Sequence, residues 1–217
     1  MIIVAVLGLI DLPMARRLYR WRRSEFALAM AAFAGVALLG VLWGVGIAIA
    51  LSLLNFIRRA WRPHDAVLGR VDNLKGYHDT ERHPEARLIP GLVLYRFDAP
   101  LFFATADFFR GRIRALARAD GTRWIVVAAE PITDVDTTAG EMLRDLDEEL
   151  EADGVELAFA ELKGPVRDRL RQYGVHEAIG TRRFFPTLGV AVATYLGESG
   201  VAWTDWEERR GGRTPPA

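Results

Sequence analysis

The stretch from Phe26 to Ile57, FALAMAAFAGVALLGVLWGVGIAIALSLLNFI, contains no Asp, Glu, Lys, Arg or His. Its 32 residues exceed the roughly 20 apolar residues that carry one helix across a bilayer core. Arg16, Arg17, Arg20, Arg22 and Arg23 precede it, and Arg58, Arg59 and Arg62 follow it. Arginines beside the ends of a membrane segment mark the cytoplasmic side, so both ends belong there and the number of crossings is even. The run is too short for two full spans. The pattern therefore predicts a pair of short helices that enter and return, which need cover from other protein. Their turn is expected among Gly35, Gly40, Gly44 and Gly46, where glycine bends the backbone at little cost. One long tilted helix is the other arrangement this length permits; the arginines at both ends count against it.

Charge divides the chain. Residues 1–62 hold eight arginines against Asp11 and Glu25, a net of +6, and the remainder balances this with −6. A mildly acidic remainder lacks the basic footprint that phosphate backbones require, so nucleic acid is not an expected partner. The absence of cysteine excludes disulfides, thiolate metal sites and cysteine nucleophiles. Met1–Ile10, MIIVAVLGLI, is too short to span and lacks the basic region and cleavage site of a secretory signal; it reads as the end of a membrane helix. Asp11 and Pro13 then suit the start of a helix. Leu18, Tyr19 and Trp21, interleaved with arginines, suit a helix lying in the headgroup layer or a solvated connection. Ala31/Gly35 and Gly40/Gly44 have the spacing that lets membrane helices approach closely, and are expected to meet other membrane helices. Gly44-Val-Gly46 imitates the start of a dinucleotide-binding loop, but it lies inside the uncharged run and not after a strand.

Residues 63–90, with Pro63, Pro84 and Pro90, read as a mostly irregular linker. Its His64, His78 and His83 form no array of metal-ligand spacing. Strands and helices then alternate. Gly91–Phe97 and Leu101–Ala104 read as strands. A helix capped by Thr105 carries the stripe Phe109, Ile113 and Leu116, with Arg110, Arg112, Arg114 and Arg118 outward. Trp124–Ala129 is nearly all apolar, as in a strand covered on both faces. Thr138 and Glu141 have capping-box spacing ahead of a helix striped by Met142, Leu143, Leu146 and Leu150. Val155–Ala160 reads as a strand, Gly164-Pro165 to Gly174 as a helix bearing Val166, Leu170 and Tyr173, and Pro186–Leu196 as a closing helix. Strands and helices in this order predict a mixed or parallel sheet with helices packed on it. Residues 197–217 read as a disordered tail.

The motifs RPHDAVLGRV, PGLVLYRFDAPLFFATADFFRGRI, ITDVDTTAGEML and LKGPVRDRLRQYGV follow one another in the chain. In that order they resemble the C-terminal part of a SulP-type inorganic anion transporter, its last short membrane helices followed by a STAS domain. The resemblance covers nearly all of residues 1–196. It implies a membrane α-helical hairpin (membrane region 1–62), the linker, and an α/β STAS domain over 91–196. In such a transporter the anion lies between broken helices near the bilayer midplane; those helices are not recognisable in this chain, so missing N-terminal transport helices or a separate transport subunit are expected partners.

One loop stands out as a candidate site. In stand-alone STAS proteins an Asp-Ser-Ser-Gly sequence at the start of this helix carries a phosphorylated serine. The matching residues here are Asp136, Thr137, Thr138 and Ala139, which makes Thr138 the candidate phosphoacceptor in a regulatory or partner-binding loop. A phosphate there gains from free amides and the helix dipole; the plainer reading is that Asp136, Thr137 and Thr138 only cap the helix. Asp134 and Asp136 make no acid–base pair with a nucleophile, and His176-Glu177 lacks the second histidine of a zinc protease helix. No enzyme activity, cofactor or metal is expected. The resemblance implies part of a secondary sulfate or related anion transporter in the cytoplasmic membrane, contacting lipid and forming a homodimer, with its STAS domain in the cytoplasm. A membrane-anchored STAS signalling protein without transport is the alternative.

Overall fold

The computed structural model describes residues 12–206, so the expectations for Met1–Ile10, Asp11 and residues 207–217 fall outside it. The chain divides into two compact units, Met1–Ala60 and Trp61–Ala217.

In the first unit, α1 (Leu12–Trp21) precedes α2 (Arg23–Leu39) and α3 (Val41–Ala60). The apolar run is thus two helices, broken at Gly40, whose φ of 86° suits glycine and few other residues. At 1.5 Å per residue they extend about 26 and 30 Å. Among the described residues, Val41–Arg58 is the one segment long and apolar enough to cross a membrane. The small residues meet each other inside this hairpin. A Cβ on Gly35 would stand 3.3 Å from Gly44 Cα, and one on Gly44 only 2.4 Å from the Val36 backbone nitrogen. The outer faces, including Phe33, Leu38, Leu42, Trp43 and Phe56, are exposed.

The second unit is built on a six-stranded sheet, β1 (Asp65–Arg70), β2 (Tyr77–Asp79), β3 (Leu92–Phe97), β4 (Trp124–Ala128), β5 (Glu156–Ala160) and β6 (Phe184–Phe185), in the order β2-β1-β3-β4-β5-β6. β1 is antiparallel to both neighbours, and β3 to β6 run parallel. Every residue of β4 is buried. Its side chains alternate between two cores, as strand geometry requires. Ile125 and Val127 join Tyr95, Phe97, Leu157 and Phe159 under α4 (Phe103–Ala117), α5 (Thr137–Ala152), α6 (Gly164–Gln172) and α7 (Val175–Ile179). Trp124, Val126 and Ala128 join Leu92, Leu94, Ala158 and Ala160 under α8 (Leu188–Ser199). The alanines on that face let a single helix sit close, and Tyr195 at its centre donates to the Pro90 carbonyl at 2.7 Å.

Several expectations are corrected. The mostly irregular stretch 63–90 is more than a linker: β1 and β2 lie within it and pair with the sheet. Leu101–Ala104 is not a strand. Leu101 makes one bridge to Val135, and the helix starts at Phe103 because the Thr105 hydroxyl, inside the first turn, accepts from the Phe102 amide at 3.1 Å. The tail begins later than expected, since α8 runs to Ser199 and Val201–Trp206 folds back on the sheet. The arginines of α4 are paired: Arg114 with Glu149 at 2.7 Å, Arg110 with the same carboxylate, and Arg112 with Asp65 at 2.6 Å.

Substituting Gly44→Leu forces a side chain into the Val36 backbone and is expected to cost about 1–3 kcal/mol. Gly46→Leu, with nothing within 4 Å of its Cβ position, leaves the melting midpoint of the full chain in detergent unchanged. On α5, burial first, then Glu151 and Glu148, pushes the Asp147 carboxyl up from 3.8 to about 6. The native state therefore takes up this proton before the unfolded chain does, and stability falls as pH rises from about 4 to about 6. Asp147→Asn is expected to raise stability at pH 7.5 by about 1 kcal/mol, the full shift being discounted for solvent screening, and to give no gain at pH 3.5; denaturant melts at the two pH values decide.

Candidate functional site

The parallel strand β4 ends at Ala128, and the chain then crosses the carboxyl edge of the sheet before α5 begins, the position where ligands and partners commonly meet open α/β sheets. Ile132 and Val135 are buried and anchor this crossing, while Thr133, Asp134, Thr137 and Thr138 face solvent. A two-bond bridge locks it to the segment before α4: the Leu101 amide donates to the Asp134 carbonyl at 3.0 Å and the Asp136 amide to the Leu101 carbonyl at 3.2 Å.

Asp136 is the node. One carboxylate oxygen accepts from the Ala139 amide at 2.8 Å, capping α5. The other accepts from the Phe103 amide at 2.9 Å, at the first residue of α4. A single carboxylate thus satisfies donors at the amino ends of two helices, where the dipole of each favours negative charge. The capping box expected from Thr138 and Glu141 is not formed, because Asp136 begins the helix two residues earlier. Thr137 and Thr138 occupy its first two positions with exposed side chains. Asp134 pairs with Arg169 of α6.

Phe102 and Phe103 belong to the site by their position beside Asp136. Their rings meet edge to face at 5.4 Å, and Phe103, the helix start that Asp136 holds, is 66 % exposed. An apolar pair in a sequence that otherwise reads as a buried strand gives no sign of such exposure.

The remaining candidates are dispersed. His64 Nδ1 lies 2.9 Å from Asp98, His78 Nε2 2.8 Å from the Lys75 carbonyl, and His83 Nδ1 3.0 Å from Glu85. Among the described residues no group of three or more His, Asp or Glu is placed to hold a metal. His176 is buried, stacked on Phe184 at 4.2 Å, and burial, then Arg171, holds its imidazole below the usual histidine range.

Residues 83–191 match the STAS domain family, and the chain belongs to that family. The chain is 44% identical over 197 residues to a probable sulfate transporter of Mycobacterium tuberculosis, covering 90% of this chain and 35% of the relative. It is 31% identical over 202 residues to sulfate transporter 1.1 of Arabidopsis thaliana, covering 88% and 31%. The chain thus spans about a third of the length of the curated relatives it matches. In structure it superposes on a murine solute carrier 26 family member A9 anion transporter in its inward-facing state with a TM-score of 0.76, at 21% identity, over 88% of this chain and 31% of that one. That likeness shows a shared fold.

Asp136→Ala is expected to destabilise the second unit by about 1–2 kcal/mol through loss of the cap, with a further loss from the unsatisfied Phe103 amide. Thr138→Ala, exposed and off the cap, changes stability by less than about 0.5 kcal/mol. Thermal melts of the two variants separate the node from the hydroxyl.

Proposed function

We propose that this chain serves as part of a SulP-type secondary anion transporter, sulfate being the reference substrate, in the cytoplasmic membrane. The observation that carries the reading is the likeness to a probable sulfate transporter over 90% of the chain, which takes in the helical hairpin as well as the STAS domain. The hairpin belongs to the scaffold of the membrane part, against transport helices supplied by an N-terminal region or a separate subunit. Its exposed apolar faces support that placement, since they need lipid or protein around them. The second unit lies in the cytoplasm, on the side marked by the flanking arginines, where it mediates homodimer contacts and regulation. No step of bond making is assigned to it, in keeping with relatives named as transporters.

The regulatory element in this reading is the loop around Asp136, Thr137 and Thr138. Thr138 is the phosphoacceptor: its hydroxyl faces solvent in the first turn of a 16-residue helix, where an added phosphoryl group gains from backbone amides and the dipole. Asp136 is already committed to two amides, so it holds the loop in place for a partner.

Co-expression with the upstream membrane segment of the mycobacterial relative, followed by radiolabelled sulfate uptake, tests the reading. Uptake that needs both pieces is expected; an association without uptake points to a membrane-anchored STAS signalling protein, and no association at all removes the transporter reading. In the active pair, Thr138→Ala is expected to change uptake or partner binding while leaving the melting midpoint within about 1 °C, a shift corresponding to a few tenths of a kcal/mol in a domain of this size. Unchanged uptake would reduce Thr138 to a helix-start residue.

A further inference from the structure

Arg70, the last residue of β1, and Arg87 face each other across an antiparallel bridge and exchange both backbone hydrogen bonds, at 2.9 and 2.8 Å. Arg70 is 4% exposed. Its guanidinium donates to the Gly76 carbonyl at 2.7 Å and lies 5.6 Å from the Tyr77 ring. The segment Val201–Trp206 closes on this arginine pair from the far end of the chain. Trp206 lies 5.4 Å over Arg70 and Trp203 4.7 Å over Arg87. Asp205 pairs with Arg70 at 2.8 Å, and the Thr204 carbonyl accepts from Arg87 at 3.5 Å. Next to these contacts is a cavity of about 540 Å³ lined by Arg70, Tyr77, Glu161, Leu188, Val192 and Trp203. Arg70 and the whole segment lie outside residues 83–191, the part matched by the STAS family.

We propose that Val201–Trp206 is a releasable strap, which opens as a unit from Arg70 and Arg87 and removes the cavity wall formed by Trp203 and Asp205 while the sheet stays folded. From Val201 to Asp205 it is neither helix nor strand, so no ladder of backbone bonds ties its opening to the sheet. Val201 and Trp203 are only partly buried against the second core. Among the described residues its anchors include charge and ring contacts, and those at Arg87, which is partly exposed, are the ones that salt weakens. A handful of such contacts is worth less than a whole domain, which is the condition for a local opening distinct from global unfolding. The strap joins the end of α8 to β1, the strand that follows the membrane region in sequence. Its release thus alters the support of that strand.

The chain has no cysteine, so paired nitroxide labels can be placed cleanly on the full chain in lipid nanodiscs. Ala202→Cys with Lys75→Cys reports on the strap; Asp107→Cys with Glu141→Cys, on α4 and α5, reports on the core. Pulsed electron spin resonance is expected to show a dominant short distance and a minor long one for the strap pair. Adding Asp205→Asn should raise the long-to-short ratio about tenfold or more, as for loss of a charged hydrogen bond; added salt should move it the same way, and the core pair should not change. A single short distance that Asp205→Asn leaves intact would make the segment a fixed part of the fold. A broad distance already present without the substitution and unaffected by it would make it a frayed end. Broadening of the core pair together with the strap pair would also overturn the proposal.

Discussion

The second unit depends on β4, WIVVA, a strand with no polar side. All five residues are buried, so it is stable only with apolar cover on both faces. Core one supplies Phe109, Leu143 and Leu146 from α4 and α5, and core two supplies Ala191 and Tyr195 from α8. Connections that return a chain to a neighbouring parallel strand must cross one face, which brings α4 and α5 to the same side. Their amino ends then meet at the carboxyl edge of the sheet, and Asp136 joins them there.

That meeting point explains why the loop is at once rigid and open. Leu101 and Val135 pin it from beneath, and the two oxygens of Asp136 serve the Phe103 and Ala139 amides. With Asp136 turned inward, Thr137, Thr138 and the Phe103 ring face solvent. Recognition surfaces with a fixed backbone and exposed side chains lose little conformational freedom on binding, which suits a regulatory contact.

Patterns with a strong period were legible in the sequence. The apolar run of β4, the α5 stripe of Met142, Leu143, Leu146 and Leu150, and the Gly-Pro start of α6 each require one local structure, and tertiary packing agrees with it. The misread elements are those whose state is decided from elsewhere in the chain. β1 carries Gly69 and lies between prolines, so its strand character comes from pairing with β3. The LFFA stretch has β-forming residues but becomes a bridge and a helix start, because Thr105 and Asp136 supply acceptors for the Phe102 and Phe103 amides. For the candidate site, the residues were legible and their division of labour was not. Asp136 and Thr138 each stand three residues before a suitable partner position, and the Ala139 and Phe103 amides together select Asp136 as the cap. The strap was hidden for the same reason: Trp203 and Trp206 have meaning only against Arg70 and Arg87, more than a hundred positions away.

In the first unit the constraint is a surface. Gly35 and Gly44 bring α2 and α3 together, and this close contact turns Leu38, Leu42 and Trp43 outward, Leu42 being 84% exposed. Water does not accept such a face, and the proposed transporter reading places it against lipid or other protein. The most direct measurement is photo-crosslinking from a diazirine amino acid at position 42, in membranes that also contain the upstream transport segment. The transporter account predicts covalent adducts to that polypeptide. Adducts to lipid alone, with the segment present and correctly inserted, would contradict it.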